Sequence, residues 1–173
     1  MERILTAVDG SVSSLKAVAL AADLATKYSA ELILVTVAQE LSAVLTAELE
    51  TYVRQEHIDT PLSELGPAHA ETVLAGARLE AQANGARRIS TRSSSGDPAE
   101  EIIALAEDLR PDLIVIGSRG HGRLAGLLLG SVAQKVVTRS PCPFVTVRAT
   151  DADVDPAPGP GNALLDGPWS WPS

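Results

Sequence analysis

Short unbroken apolar runs alternate along this chain with stretches in which apolar residues return every three or four positions. Ile4–Val8, closed by Asp9-Gly10, is the first run, and Leu32–Val37 is the second. Neither shows the polar alternation of a strand with one wet face, so both read as strands covered on both sides, as in parallel sheets. Leu113–Ile116 and Phe144–Val147 read as two more strands, and Arg87–Arg92 as a shorter one. After a cap at Ser11 or Ser13, Leu15, Val18, Ala19, Ala22 and Ala25 recur at helical spacing. The alanine-rich stretch Ala68–Ala83 predicts a helix stopped at Gly85. In Asp97-Pro98-Ala99-Glu100 a capping aspartate precedes a proline at the first helical position, which predicts a helix from Pro98 to about Leu109, halted by Pro111. A last helix opens at Ser131 and runs to about Arg139. Residues 40–67 show two weak helical stretches interrupted by Pro61, Gly66 and Pro67, and carry no firmer assignment.

Strands that alternate with helices make a parallel sheet, because right-handed crossovers lay a helix over the sheet after each strand. The fold class predicted is α/β: an open five-stranded parallel sheet with helices on both faces. In such sheets ligands bind beyond the carboxyl ends of strands where strand order reverses, which directs attention to the loops after the first and fourth strands.

Composition narrows the picture. The 173 residues, 45% hydrophobic and 21% charged, suit one globular domain with a sizeable core. A single cysteine, Cys142, excludes an intrachain disulfide and a cysteine-built zinc site. No signal-like opening and no long apolar span is present, so the expected location is cytoplasmic, with no membrane partner. The net charge of −8 argues against nucleic acid as a partner. Half of that charge comes from Asp151, Asp153, Asp155 and Asp166, in a 25-residue tail that holds five prolines, three glycines and no Lys or Arg. The domain is therefore placed at residues 1–148, and residues 149–173 are expected to be a disordered acidic tail. Both tryptophans, Trp169 and Trp171, lie in that tail, so the core must be aliphatic.

The chemistry concentrates in Gly117-Ser-Arg119-Gly120-His121-Gly122-Arg123-Leu-Ala-Gly126-Leu-Leu-Leu-Gly130-Ser131. Glycines let the main chain approach a ligand closely, and the amides of the following helix start offer hydrogen bonds and partial positive charge to an anion. A phosphate suits such a loop, with Arg119, Arg123 and the Ser131 hydroxyl adding to it. The alternative is a plain surface loop in which Ser131 only caps its helix. The lysine of a Walker A loop is missing, and no GxGxxG follows the first strand.

The spacing Gly117, two residues, Gly120, nine residues, Gly130, Ser131 resembles the nucleotide-binding members of the universal stress protein family. The opening Ile4-Leu-Thr-Ala-Val-Asp9-Gly-Ser11 is similar too, as are Thr36-Val37, the Gly96-Asp97-Pro98 turn and Ser140-Pro-Cys-Pro143. The resemblance spans nearly all of residues 1–148 and implies a Rossmann-like fold of the adenine nucleotide alpha hydrolase type. It implies ATP, or AMP, as ligand, with Ala7, Val8, Asp9 and Val37 around the adenosine end and Gly117 near the ribose. Gly120, Gly130, Ser131 and Val132 would present amides or a hydroxyl to the phosphates, beside Arg119, and magnesium would arrive with the nucleotide. Ala133 departs from the Ser or Thr often found there in the family, which removes one hydroxyl contact. The family also commonly dimerises through its last strand, here Phe144–Val147.

Other residues allow blander readings. Asp9 sits where an aspartate can order a strand-to-helix turn through nearby amides, as well as where it could meet a nucleotide. His121 has no visible partner and reads as a solvent-exposed loop residue before it reads as a base. His57 and His69 have no carboxylates at ligand spacing, so no protein-only metal site is expected. Cys142 between Pro141 and Pro143 suits an extended entry into the last strand. Glu31, Glu48, Glu50 and Glu56 form no catalytic pair. Three readings follow: a nucleotide-binding regulatory protein with an unidentified protein partner and at most weak ATP hydrolysis; a slow ATP hydrolase or adenylate-transferring enzyme; and an interaction module with an empty site.

Overall fold

The structure, a computed structural model, describes residues 1–38, 62–120 and 129–149. In these, β1 (Arg3–Ala7), α1 (Val12–Tyr28), β2 (Glu31–Ala38), α2 (Leu62–Ala83), β3 (Ile89–Ser95), α3 (Pro98–Leu109), β4 (Leu113–Gly117), α4 (Ser131–Arg139) and β5 (Phe144–Val147) follow one another. The five strands form one sheet in the order β3-β2-β1-β4-β5, every pair parallel. This is the open α/β fold predicted, and the order reverses between β1 and β4.

The unbroken apolar runs are explained by two separate cores. Ile4, Leu32, Leu34 and Val115 point to the face covered by α1 and α2, while Leu5, Ile33, Val35, Ile114 and Ile116 point to the face covered by α3 and α4. Successive side chains of one strand thus enter opposite cores, so both parities are mostly apolar, with Thr6 of β1 and Thr36 of β2 as buried exceptions. On the first face Ala17, Ala21 and Ala25 of α1 are buried together with Ala77 and Ala81 of α2. Small side chains let helices and sheet approach closely. No aromatic residue enters the described core: Tyr28 and Phe144 are exposed.

Local details depart from the sequence pattern in three places. The buried face of α1 is Ser13, Ser14, Ala17, Val18, Ala21, Ala22 and Ala25, leaving Leu15 and Ala19 only half-buried. Helix α2 begins at Leu62, passing Gly66 and Pro67. Strand β3 lies two residues later than Arg87–Arg92 and extends to Ser95, since pairing with β2 from Leu32↔Ile89 to Ala38↔Ser95 sets its length. Gly85, at φ 87°, ends α2 as expected, with the Ala86 N–H reaching Ala81 O at 3.0 Å and the Gly85 N–H reaching Gln82 O at 3.0 Å. Asp97 caps α3 through Oδ1, which accepts from the Ala99 and Glu100 N–H groups at 3.0 and 3.1 Å. The tail with Trp169 and Trp171, the segment holding His57, and His121, Gly122, Arg123 and Gly126 lie outside the described residues.

Candidate functional site

At the carboxyl end of β1 the chain must turn into α1 within a few residues. Asp9 orders that turn: its Oδ1 accepts from the Ser11 N–H at 3.0 Å and from the Ser11 hydroxyl at 2.6 Å. Gly10 takes φ 81° between them. Ser11 then caps α1 through the Ser14 N–H at 3.3 Å. The turn-ordering role weighed for Asp9 is therefore present, carried by one carboxylate oxygen, while the other oxygen stands against Gly120.

The loop after β4 is closed at its base by the main chain. The Ser118 N–H donates to Val147 O at 2.7 Å, and Ser118 O accepts from the Gly130 N–H at 2.7 Å. The Gly130 amide is thus engaged within the protein. Gly130 is the cap residue of α4, at φ −71° and ψ 163°, and among the described residues no side-chain cap bonds to that helix start. Nor does the first turn contain an acidic residue. The N–H groups of Ser131, Val132 and Ala133 precede the first residue with a helical acceptor, Gln134, whose N–H reaches Gly130 O at 2.9 Å. Such a start carries partial positive charge.

Gly117 also has a packing duty. A Cβ there would stand 2.9 Å from Ser13 C, Ser13 Oγ and Ser14 N, so α1 lies directly on the end of β4.

Between these elements opens a cavity of about 580 Å³ at the switch point, a size within the ~300–1,000 Å³ common for small-molecule sites. All ten residues singled out from the sequence lie on its wall: Ala7, Val8, Asp9, Val37, Gly117, Arg119, Gly120, Gly130, Ser131 and Val132. Sequence reasoning missed two walls. Helix α2 contributes His69, Ala70 and Val73, and α3 contributes Pro98 and Ile102. The α3 wall had a signal, since a helix start recognised at Pro98 must lie near the carboxyl ends of the strands in any βα unit. The α2 wall lies within the helix predicted at Ala68–Ala83, but its helical pattern carries no sign that this end faces the cavity. His69 is exposed on this wall. The cavity wall is apolar at Val37, Ala70, Val73, Pro98 and Ile102, and elsewhere is formed by Gly120 and the start of α4. Among the described residues no group of three metal-ligating side chains occurs, and no helix is long and apolar enough to cross a membrane.

Away from the cavity, the α3 start is tied to α4 on the surface. Lys135 Nζ lies 3.1 Å from Asp97 Oδ2, and Arg139 pairs with Glu100. The Asp97 carboxyl is held below the usual carboxylate range, chiefly by the Glu100 N–H and then by Lys135. Burial pushes the Cys142 thiol up, which suits a packing role in the approach to β5.

An open parallel sheet with an amide-lined crevice at its switch point defines a class of small-ligand-binding α/β domains. Within that class the family is settled by comparison: the family model described as the universal stress protein family matches residues 1–148, and this chain belongs to that family. The universal stress protein YxiE of Bacillus subtilis is 36% identical over 148 residues, covering 84% of this chain and 98% of its own. A universal stress protein of Thermus aquaticus is 34% identical over 146 residues, covering 84% of this chain and 97% of its own. Among solved structures, a universal stress protein in complex with cAMP superposes with a TM-score of 0.65 at 29% identity, covering 86% of this chain and 98% of that one. An Arabidopsis thaliana family member with AMP bound, at 20% identity and a TM-score of 0.63, covers 90% of this chain and 97% of its own and shares the fold.

Proposed function

We propose that this protein binds an adenine nucleotide, AMP or ATP, in the switch-point cavity and acts as a regulatory protein of the universal stress type. The observation that carries this reading is the pairing, in one cavity, of an apolar wall with a helix start that has no side-chain cap among the described residues. The apolar wall residues Val37, Ala70, Val73, Pro98 and Ile102 suit an apolar base. The N–H groups of Ser131, Val132 and Ala133, with the Ser131 hydroxyl, suit phosphate oxygens. Ala133 supplies an amide but no hydroxyl. The cAMP complex of a relative 29% identical to this chain supports the same ligand class. Bound nucleotide supplies negative charge that draws the β4 loop and α4 together, a difference a partner can read. Magnesium accompanies ATP, with the Asp9 carboxylate near the loop that meets the phosphates.

Assembly and location belong to the same reading. Strand β5 pairs on one side with β4, and its Phe144 is exposed, so a second copy pairing along Phe144–Val147 would make a homodimer. The regulated processes are stress responses in the cytoplasm, through a protein partner, with the domain ending near residue 148 and the acidic tail following it.

Titration calorimetry of the full chain with AMP, ATP and adenosine, with and without magnesium, tests the proposal. Binding of AMP or ATP with an accompanying rise in Tm is expected, a hundredfold excess over Kd adding about 2.7 kcal/mol. Absence of heat and of any thermal shift with all three ligands would overturn it. Turnover of ATP approaching ~10 per second would replace the regulatory reading with an enzymatic one.

A further inference from the structure

We infer that His69 recognises the base of the bound nucleotide by hydrogen bonding, an inference that rests on the nucleotide reading above. Helix α2 packs on α1, β2 and β3. As the crossover between two parallel strands it runs against them, so its early residues lie by the carboxyl ends of the strands. The Cα–Cβ bonds of a helix tilt toward its own N-terminus, here toward the cavity, and His69 lines that cavity together with Ala70 and with Val73, one turn on. Ala70 is 5% exposed and Val73 is half-buried, which seats this part of α2 on the domain, whereas His69 is exposed and its ring is open to whatever enters.

The fold sets His69 apart from the helix start that suits a phosphate. Val73, Ala77 and Ala81 of α2 belong to the core on one face of the sheet, while Ala133 and Val136 of α4 belong to the core on the other. Helix α2 lies over β2, the loop to α4 leaves from β4, and β1 stands between those strands. The two ends of the cavity are therefore two strand spacings apart, about 10 Å, a gap that a nucleotide bridges with its phosphate at one end and its base at the other. The polar side chains of the described wall divide accordingly. Asp9, Arg119 and Ser131 stand after β1, after β4 and at the start of α4. Ser14 turns its hydroxyl back to Ser11 O at 2.9 Å, and Thr36 is only 5% exposed. His69 is the exposed hydrogen-bonding side chain that remains, beside the apolar residues Ala70 and Val73. A neutral imidazole carries one N–H donor and one acceptor nitrogen, and the edge of adenine offers an amino donor and a ring-nitrogen acceptor. Apolar neighbours bury a base; a hydrogen bond from His69 fixes how it sits.

A contact to the base separates ligands that carry one from a ligand that does not. In His69→Ala, calorimetry should show affinity for AMP and for adenosine falling together, by about three- to tenfold, the worth of one neutral hydrogen bond. Affinity for ribose 5-phosphate, followed at the Val132 amide in 15N spectra, should stay within about twofold of wild type. The chain has three histidines, so the His69 ring signals are identified by their loss in the variant. In wild type they should shift on adding adenosine or AMP and stay in place with ribose 5-phosphate. An AMP affinity within twofold of wild type in the variant, an equal loss for ribose 5-phosphate, or ring signals that adenosine leaves unmoved would overturn the role of His69 while leaving the nucleotide reading intact. Failure of wild type to bind AMP and adenosine would overturn that reading, and this inference with it. Should His69→Ala prove unfolded by circular dichroism, His69→Asn identifies the ring signals, and their response in wild type decides.

Discussion

Gly117, Gly120 and Gly130 share a motif but not a reason for being glycine, and an alanine series separates them. At Gly117 an added Cβ would be 2.9 Å from Ser13 C, Ser13 Oγ and Ser14 N, where ordinary contact begins at 3.4 Å. The first turn of α1 must then withdraw by roughly half an ångström, and it is main chain of a helix packed on the sheet, with no rotamer to yield. Overpacking of that kind costs about 1–3 kcal/mol, or roughly 2–12 °C in Tm for a chain of this size. At Gly130 the added Cβ meets Arg119 Cα at 3.5 Å, and φ is negative. Alanine fits there; losing a favoured cap residue is offset by the reduced entropy of the unfolded chain, so the net change stays within about 1 kcal/mol. At Gly120 the Cβ would overlap Asp9 Oδ2. Relief requires turning a carboxylate whose other oxygen holds Ser11 at 3.0 and 2.6 Å, which places Gly120→Ala between the other two. Urea unfolding followed by circular dichroism, with an unchanged m value, orders the three variants. If Gly117→Ala matched wild type, or Gly130→Ala were as damaging as Gly117→Ala, the account of this loop would be wrong.

Other consequences are open to measurement. Asp9→Ala removes the acceptor of two Ser11 hydrogen bonds and should lower stability by about 1–3 kcal/mol in urea unfolding, whereas Asp9→Asn, which keeps one acceptor oxygen, should lose less. Leu34→Ala empties a fully buried position on β2 and should cost about 2–5 kcal/mol, the largest loss among these variants. Asp97 and Asp112 are both held below the ordinary carboxylate range, Asp97 first by the Glu100 N–H and Asp112 first by the Glu2 N–H. Depressed folded values mean that their stabilisation is complete above the unfolded pKa of about 3.9 and is lost as pH falls through the folded ones. Tm measured from pH 5 downward should therefore fall less steeply in Asp97→Asn and Asp112→Asn than in wild type, and parallel slopes would refute the assignment. ATP affinity should weaken with added salt more than adenosine affinity does, since only the former depends on phosphate charge.

The strands were legible before any coordinates because burial on both faces leaves an unmistakable run: Ile4, Leu5, Leu32 to Val35 and Leu113 to Ile116 have nowhere polar to point. The Asp97-Pro98 start and the Gly85 stop were legible because capping is local chemistry, complete within a few residues. The ends of β3 were not, since its sequence, Ile-Ser-Thr-Arg-Ser-Ser-Ser, is mostly polar and its length is borrowed from β2. The family resemblance likewise rested on spacing that the chain displays by itself, from Asp9 to Ser131.

What the amino-acid order determined, then, is what has its cause within one turn of helix or one strand: most of the elements, the caps at Asp97 and Gly85, and the glycine-rich loop. What only the tertiary structure decided is who meets whom across the switch point. His69 and Val73 reach the cavity from a helix whose start had no local signal; the Gly130 amide is spent on Ser118; Gly117 is small because Ser13 lies on it; and the Ser13 hydroxyl bonds to Arg119 O across 106 positions of sequence. Such contacts join segments far apart in the chain, and a pattern with a period of two or 3.6 residues carries no information about distance through space.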